Sequence, residues 1–313
     1  MIVDRISISD FDEQKLKEVL AQKTQHKVNW IDRYRDQLGG EDPSIDGVEL
    51  CWEKCQDKVV LQYGCVSTWV GIDGHKKSSV ITQILTFASR QVVVGMASLE
   101  MKVRSQLTLM IQQATGVSKP SSELENQFLD WGRDRILLYD HVGDVEPIEV
   151  YALVTKMAKD YRAKLIVIDC LQMIGGVGEK TETERQIMQM FVQLSKAFNI
   201  HIAVIHHTRK PSQGGDEYVP TRFDALGSTS ISQLSSILCI VWSDKKKDRL
   251  KEIPEEDLTE TQQEYLSRPD TRIIVAKNRH LPWEGVIGLW LHNRQFIPSD
   301  AGRPLFFNED FSS

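Results

Sequence analysis

The sequence predicts an α/β fold in which a mostly parallel central sheet is flanked by helices. Two observations carry this prediction. Short apolar runs alternate with longer amphipathic segments from Val59 onward, and the most apolar runs, such as Leu165–Asp169 (LIVID), are continuous. A continuous apolar strand is typical of a parallel sheet, because crossover helices bury both of its faces.

The strands and helices of this region follow from the same periodicity. The predicted strands are Val59–Leu61, Cys65–Val70, Gln91–Ala97, Arg135–Tyr139, Leu165–Asp169, His201–His206, Ser236–Trp242, Arg272–Ala276 and Val286–Leu291. The predicted helices are Ser78–Ser89, Met101–Thr115, Glu146–Tyr161, Thr183–Phe198 and a short one containing Ile231–Gln233. The charged stretch 244–270 is interpreted as a solvated surface insertion, whose KKK run is a lesser candidate for contact with nucleic acid.

Residues 1–47 are predicted to form a short N-terminal helical arm or linker, and residues 48–313 one large domain. Helices are predicted over Asp10–Lys23 and Val28–Leu38, followed by a loop rich in Gly, Pro and Asp. Two interpretations stay open: the arm caps its own domain, or it docks on a neighbouring subunit.

The composition of the 313 residues is that of an ordinary globular protein, with 41% hydrophobic and 26% charged residues. No apolar run approaches the roughly 18 residues that a membrane span needs, and the N-terminus does not read as a secretory signal. Five cysteines, an odd number, favour reduced thiols in a cytoplasmic protein. The net charge of −6 leaves a nucleic-acid partner open.

A predicted phosphate loop lies between a strand and a helix. Its glycines allow consecutive backbone N–H groups to point at a phosphate, and the start of the helix adds its positive dipole end. In this pattern Lys77 neutralises the β- and γ-phosphate oxygens and Ser78 holds Mg²⁺. The predicted nucleotide-binding residues, called the phosphate loop below, are Gly71, Ile72, Asp73, Gly74, His75, Lys76, Lys77, Ser78 and Ser79.

Lys76 departs from the phosphate-loop consensus, which has glycine before the invariant lysine. A Cβ restricts the backbone there, and a second ammonium is added beside the phosphates. Three outcomes are open: the loop tolerates Lys76 with its side chain turned outward, nucleotide binding is weakened, or the site is inactive. We expect tolerance.

Asp169 ends the buried strand Leu165–Asp169. A buried carboxylate is costly without a cation or a hydrogen-bond partner. Because this acid lies downstream of a phosphate loop in the same alternating pattern, we expect it to belong to a Mg²⁺ site together with Ser78. The alternative is an aspartate that caps the following turn.

Six segments together resemble the C-terminal RecA-like motor domain of replicative hexameric helicases, the family that includes DnaB, the phage primase-helicases and mitochondrial Twinkle. They are WVGIDGHKKSS, ASLEM, LIVIDCLQMI, HHTRKP, GSTSISQLS and IIVAKNR, within Val48–Pro298. The resemblance implies a P-loop NTPase fold with ATP and Mg²⁺ as ligands, and it departs from the family most clearly at Lys76.

The resemblance also implies roles for residues outside the phosphate loop. Glu100 would be the general base that orients the attacking water, and His207 would sense the γ-phosphate. Arg209 and Lys210 would contact single-stranded DNA from the loop that runs to Arg222. Lys277 and Arg279 would reach the γ-phosphate of a neighbouring subunit, with Arg279 as the arginine finger. From the residues alone, each could instead be an ordinary surface or structural side chain.

The function implied is an ATP-dependent DNA helicase that moves along single-stranded DNA as a ring, 5′ to 3′ and in replication. The expected partners are single-stranded DNA or a forked duplex, other copies of the chain in a hexamer, and a separate primase or loader; no membrane partner is expected. A bacterial or phage-infected host cytoplasm is the expected setting. Two alternatives remain: a RecA- or RadA-like ATP-controlled protein that binds single-stranded DNA, and a catalytically impaired assembly or loader subunit.

Overall fold

A nine-stranded mixed sheet forms the centre of the protein in the computed structural model, which describes residues 46–175, 177, 181–208, 217–221, 224 and 229–299. Its strands are β3 (Cys65–Gly71), β4 (Val94–Ser98), β5 (Ile136–Tyr139), β6 (Leu165–Asp169), β7 (His201–His207), β8 (Ile237–Ser243), β9 (Thr271–Asn278), β10 (Gly285–His292) and β11 (Gln295–Ile297). Two further strands, β1 (Gly47–Glu49) and β2 (Val60–Gln62), pair as a separate antiparallel ribbon.

The strand order is β11-β10-β9-β8-β3-β7-β6-β4-β5. All pairings from β8 to β5 are parallel, whereas β9, β10 and β11 add antiparallel strands at one edge. The predicted mostly parallel sheet is therefore confirmed.

The α-helices are α1 (Lys77–Ala88), α2 (Val103–Thr115), α3 (Ser122–Gly132), α4 (Pro147–Lys159), α5 (Thr181–Phe198), α6 (Thr229–Leu234), α7 (Lys245–Leu250) and α8 (Glu260–Leu266). Among the described residues, three short 3-10 turns cover Glu53–Cys55, Leu171–Met173 and Glu255–Asp257. Local sequence fixes several helix ends. Pro147 begins α4 within a capping box, and Gly116 ends α2 in the left-handed region at φ 68°.

Strand β6 shows why the sheet is buried on both faces. Leu165 and Val167 belong to the core cluster that contains Ile84 of α1. Ile166 and Ile168 point the other way, into the cluster that contains Phe191 of α5. Successive strand residues face opposite sides, so a continuous apolar run fills two cores at once.

Several element boundaries differ from the sequence predictions. The strand predicted from Gln91 begins only at Val94, because the N–H groups of Gln91 and Val92 bond back to the carbonyl of Ala88 at the end of α1. Helix α3 was not predicted. Its signal is present in Ser121, whose side chain accepts a hydrogen bond from the backbone N–H of Leu124 as an N-cap.

The charged stretch 244–270 lies largely at the surface, as predicted, with residues 251–257 all exposed. It forms α7 and α8, and three of its charged side chains are buried: Asp244, Lys247 and Asp270, each 2% exposed. Lys247 pairs with Asp270 at 3.2 Å, and Lys251 donates to the same carboxylate at 2.6 Å. The sequence does not predict these buried charges, because a buried ion pair and an exposed one have the same composition. The predicted helices of the N-terminal arm lie outside the described residues.

A pH prediction follows from His201, which is fully buried at the start of β7. Its Nδ1 donates to the carbonyl of Gln62 and its Nε2 accepts from the hydroxyl of Ser67, both at 2.8 Å, so the ring is neutral. Burial lowers the pKa of His201 to about 4. Between its unfolded pKa near 6.5 and pH 4, the unfolded chain therefore binds a proton that the folded chain does not.

We expect the free energy of unfolding to fall by about 3 kcal/mol through His201 as the pH is lowered from 6.5 to 4. Urea unfolding across this pH range measures the slope. His201→Gln should make the slope shallower, with the same change at exposed His292 as the matched control. An unchanged slope in His201→Gln would contradict the assignment.

Candidate active site

The phosphate loop lies where β3 meets α1. Gly71 ends β3 so close to the carbonyl of Val241 in β8 that a Cβ would overlap it. Gly74 has φ +76°, a conformation that L side chains rarely adopt. Both glycines are therefore required by the backbone path as well as by the predicted chemistry.

Lys77 begins α1 with its side chain turned into the protein, 4% exposed. Its ammonium donates to the carbonyl of Ile72 at 3.0 Å, within the same loop, and lies 3.3 Å from His207 Nδ1. Burial lowers the pKa of Lys77, and the neighbouring carboxylates of Asp73, Asp169 and Glu100 oppose that shift. The loop therefore curls around one buried cation.

Three more predicted residues converge on Lys77 because their strands end at one edge of the sheet. Gly71 pairs with His207, and Ser98 of β4 pairs with Asp169. Glu100 follows β4 by two residues and lies with Oε1 3.4 Å from His207 Nε2. The structure thus brings Lys77, Glu100, Asp169 and His207 together.

Asp169 and Ser78 provide oxygen ligands suited to Mg²⁺. The Ser78 side chain is close enough to the Asp169 carboxylate to lower the pKa of that group. Asp169 is 1% exposed, and its Oδ1 has no hydrogen-bond partner among the described residues. A buried carboxylate with a spare oxygen beside a hydroxyl fits a hard divalent cation. Burial raises the pKa of Asp169 to about 6, and the nearby Glu100 adds to the rise.

Two further residues, which the sequence analysis does not predict, line the site beside His207 and Glu100. Gln172 donates to His206 Nδ1 at 2.8 Å and to the carbonyl of His207 at 3.2 Å. The Cys170 thiol lies 3.1 Å from Glu100 Oε1, and its pKa is raised by burial and by this carboxylate. Cys170 and Gln172 lie one and three residues after Asp169, a position that could have marked them. Burial lowers the pKa of His206 to about 4, so it is neutral.

The remaining residues of the phosphate loop differ in their exposure and contacts. Ile72 and His75 are buried, and Asp73 is exposed with its carboxylate accepting from the N–H of Gly74 at 2.8 Å. Ser79 lies in the first turn of α1, where its carbonyl accepts from the Gln113 side chain at 2.8 Å.

Lys76 turns its side chain onto helix α7. Its ammonium lies 3.1 Å and 3.2 Å from the two carboxylate oxygens of Asp248. This is the outward orientation that tolerance of Lys76 requires. Its backbone is left-handed, with φ 62° and ψ 23°.

Lys277 and Arg279 lie far from the phosphate loop of their own chain. Strand β9 runs antiparallel to β8, so its end at Asn278 is paired with Ile237, the first residue of β8. Arg279 is level with Val66, five residues before Gly71, which corresponds to about 16 Å along β3. Both cations bind the carbonyl end of α6: Lys277 at Ser232 and Ser235, and Arg279 at Gln233 at 2.6 Å.

Arg209 and Lys210 lie outside the described residues, as does most of the loop that leads to Arg222. Within the part of the chain that the structure describes, no helix is both long and apolar enough to cross a membrane.

A stability prediction follows from Asp169. Because its charge is buried and its pKa raised, we expect Asp169→Asn to increase the free energy of unfolding of the metal-free protein by about 1–2 kcal/mol. We also expect Mg²⁺ with nucleotide to stabilise the parent protein and to have no such effect on this variant. Thermal unfolding with and without both ligands tests this. A metal-free variant less stable than the parent would contradict the prediction.

Comparisons with known proteins agree with this geometry. The family model of the DnaB-like helicase C-terminal domain matches residues 71–295. No curated protein matches the chain.

A solved structure of the ATPase domain of G40P is 16% identical, with a TM-score of 0.67, and covers 88% of this chain and 100% of that chain. A DnaB-like replicative helicase, solved in a study of its interactions with primase, is 15% identical with a TM-score of 0.68, covering 93% and 72%. At these identities the solved structures establish the RecA-like fold. The family match establishes more: the chain belongs to the DnaB-like helicase family, and its residues 71–295 match the ATP-hydrolysing C-terminal domain of that family.

Proposed function

We propose that this protein is an ATP-driven DNA helicase that moves 5′ to 3′ along single-stranded DNA as a ring of identical subunits, in replication. Membership of the DnaB-like family supports the class. The observation that carries the mechanism is the convergence of Lys77, Glu100, Asp169 and His207 on one edge of the sheet.

ATP hydrolysis follows from the chemistry of these side chains. The N–H groups of the phosphate loop and the ammonium of Lys77 bind the β- and γ-phosphates. The phosphate oxygens thereby replace the carbonyl of Ile72 as the acceptor for Lys77. Glu100, half-exposed at the mouth of the site, orients the attacking water and accepts its proton. Ser78 and Asp169 would hold Mg²⁺, which when bound would neutralise charge on the phosphate oxygens.

We assign to His207 the role of sensing the γ-phosphate of the nucleotide. Its ring lies between Lys77 and Glu100, and burial followed by the charge of Lys77 lowers its pKa, so a neutral ring is favoured. The chain continues from His207 through Thr208 to Arg209 and Lys210, which we assign to phosphate contacts with single-stranded DNA. Changes at the γ-phosphate can then pass directly to the DNA-binding loop.

The arginine finger is supplied by a neighbouring subunit. Lys277 and Arg279 lie at the sheet edge opposite to their own phosphate loop, so they can serve a nucleotide only across a subunit boundary. Repeating this head-to-tail contact closes a ring, which we propose to be a hexamer. A separate primase or loader, in a phage or bacterial replication system, would act with this ring.

The first test is ATP hydrolysis with and without single-stranded DNA. We expect stimulation by the DNA and unwinding of a forked duplex. Lys77→Ala should lose nucleotide binding, whereas Glu100→Gln should keep it and lose about 10²- to 10⁴-fold in rate. A parent protein that hydrolyses ATP but never separates strands would contradict the motor assignment and favour a RecA-like relative. Absence of nucleotide binding would favour an assembly subunit.

The second test is complementation between inactive subunits. Arg279→Ala should lose about 10³- to 10⁵-fold in rate, because it removes charge stabilisation from the transition state. Mixed with Lys77→Ala in equal amounts, it should recover about a quarter of the parent activity, since an intact site can meet an intact finger in a ring.

The matched control mixes Lys77→Ala with Glu100→Gln. Lys77 and Glu100 belong to the nucleotide site of the same subunit. Every site in this mixture therefore lacks either the lysine or the glutamate. We expect no recovery here. Recovery in the control, or none in the Arg279→Ala mixture, would contradict a finger that acts between subunits.

A further inference from the structure

Helix α7 lies directly against the phosphate loop and contacts it at consecutive residues. Lys76 binds both oxygens of Asp248, and Lys245 donates to the carbonyl of Gly74 at 2.8 Å. Just before the helix, the N–H of Ser243 donates to His75 Nδ1 at 3.0 Å. Three adjoining residues of the loop are therefore held from one side.

The contact at Lys76 coincides with the strained point of the loop backbone. The left-handed helical region costs a residue with a Cβ about 1–2 kcal/mol in conformational free energy, whereas glycine adopts it without this cost. Lys76 occupies this region. The loop thus has a non-glycine residue at a position where the backbone conformation favours glycine, and the side chain of that residue is fixed by an ion pair.

Helix α7 can act as a firm support because it is itself anchored. Asp244 caps its first turn by accepting from the N–H of Lys247 at 2.9 Å, and also accepts from the Tyr265 hydroxyl at 2.8 Å. The buried pair of Lys247 with Asp270 ties α7 to the start of β9. Asp248 is therefore presented to the loop by a helix with fixed ends.

We propose that Asp248 is a positioning residue for the nucleotide site. Its carboxylate fixes the ammonium of Lys76 on α7 and thereby holds the loop backbone in the left-handed conformation that the nucleotide needs. A lysine can then replace the consensus glycine without losing a preformed phosphate cradle. The inference rests on the proposed function, since it concerns nucleotide binding at that site.

The contribution of this contact is bounded by its exposure. The side chains of Lys76 and Asp248 are 21% and 35% exposed, so solvent screens the ion pair. We expect Asp248→Asn to weaken the binding of Mg²⁺ with a non-hydrolysable ATP analogue about two- to fivefold. At saturating ATP, kcat should be unchanged, because Asp248 does not touch the reacting groups, whereas KM should rise.

The decisive experiment is a double-mutant cycle on the full chain. In the Lys76→Gly background the ion pair is gone and the backbone preference is relieved, so Asp248→Asn should add no further loss of affinity. This background also separates the role of Lys76 from that of Lys245, whose ammonium lies 3.8 Å from the same carboxylate. Asp248→Glu should keep most of the parent affinity, and Glu252→Ala, at an exposed residue of the same stretch, is the matched control.

The outcomes are distinct. A loss of affinity with Asp248→Asn that disappears in Lys76→Gly supports the inference. An unchanged affinity, an equal loss in both backgrounds, or tighter binding in Asp248→Asn would overturn it; the last result would mean that the released Lys76 binds phosphate. A parent protein that binds no nucleotide overturns the proposed function together with the inference, whereas normal parent binding without coupling overturns the inference alone.

Discussion

A single buried ammonium group, that of Lys77, determines how the site is arranged. A lysine taken out of water is costly unless oxygen atoms and negative charge surround it. Here the loop supplies the carbonyl of Ile72, and β4 and β6 deliver Glu100 and Asp169 from their ends. Under the proposed function, the same arrangement also accepts an anionic phosphate group, which takes the place of the loop carbonyl.

The sheet explains why these groups meet. The carboxyl ends of parallel strands lie at the same end of the sheet. Strand pairing alone therefore brings together residues that are far apart in the sequence. Strand β9 runs antiparallel to its neighbour β8, so its carboxyl end lies beside the amino ends of the parallel strands. There Lys277 and Arg279 bind carbonyl groups at the end of α6. Under the proposed function, one chain therefore has a nucleotide cradle on one side and the cations for its neighbour's nucleotide on the other.

The sequence was sufficient for the parts of the fold and site that depend on local pattern. The positions of most strands along the chain, the glycine-containing loop between β3 and α1, and the acid at the end of β6 follow from apolar runs and turn residues. The partner of Lys76 could not be predicted, because Asp248 lies 172 residues further along the chain. Nor could the burial of Lys247 and Asp270, since a charged run has the same composition whether its charges pair inside or face water. Gln172 was overlooked because its partner, His206, becomes a neighbour only when β6 and β7 pair.

The central claim is that the phosphate loop and Lys77 bind the triphosphate of ATP. A crystal structure with Mg²⁺ and a non-hydrolysable ATP analogue tests it most directly. The account predicts that the ammonium of Lys77 leaves the carbonyl of Ile72 to contact the β- and γ-phosphates, while Lys76 stays on Asp248. An empty loop at saturating nucleotide, or a bound nucleotide with Lys77 still on Ile72, would contradict it.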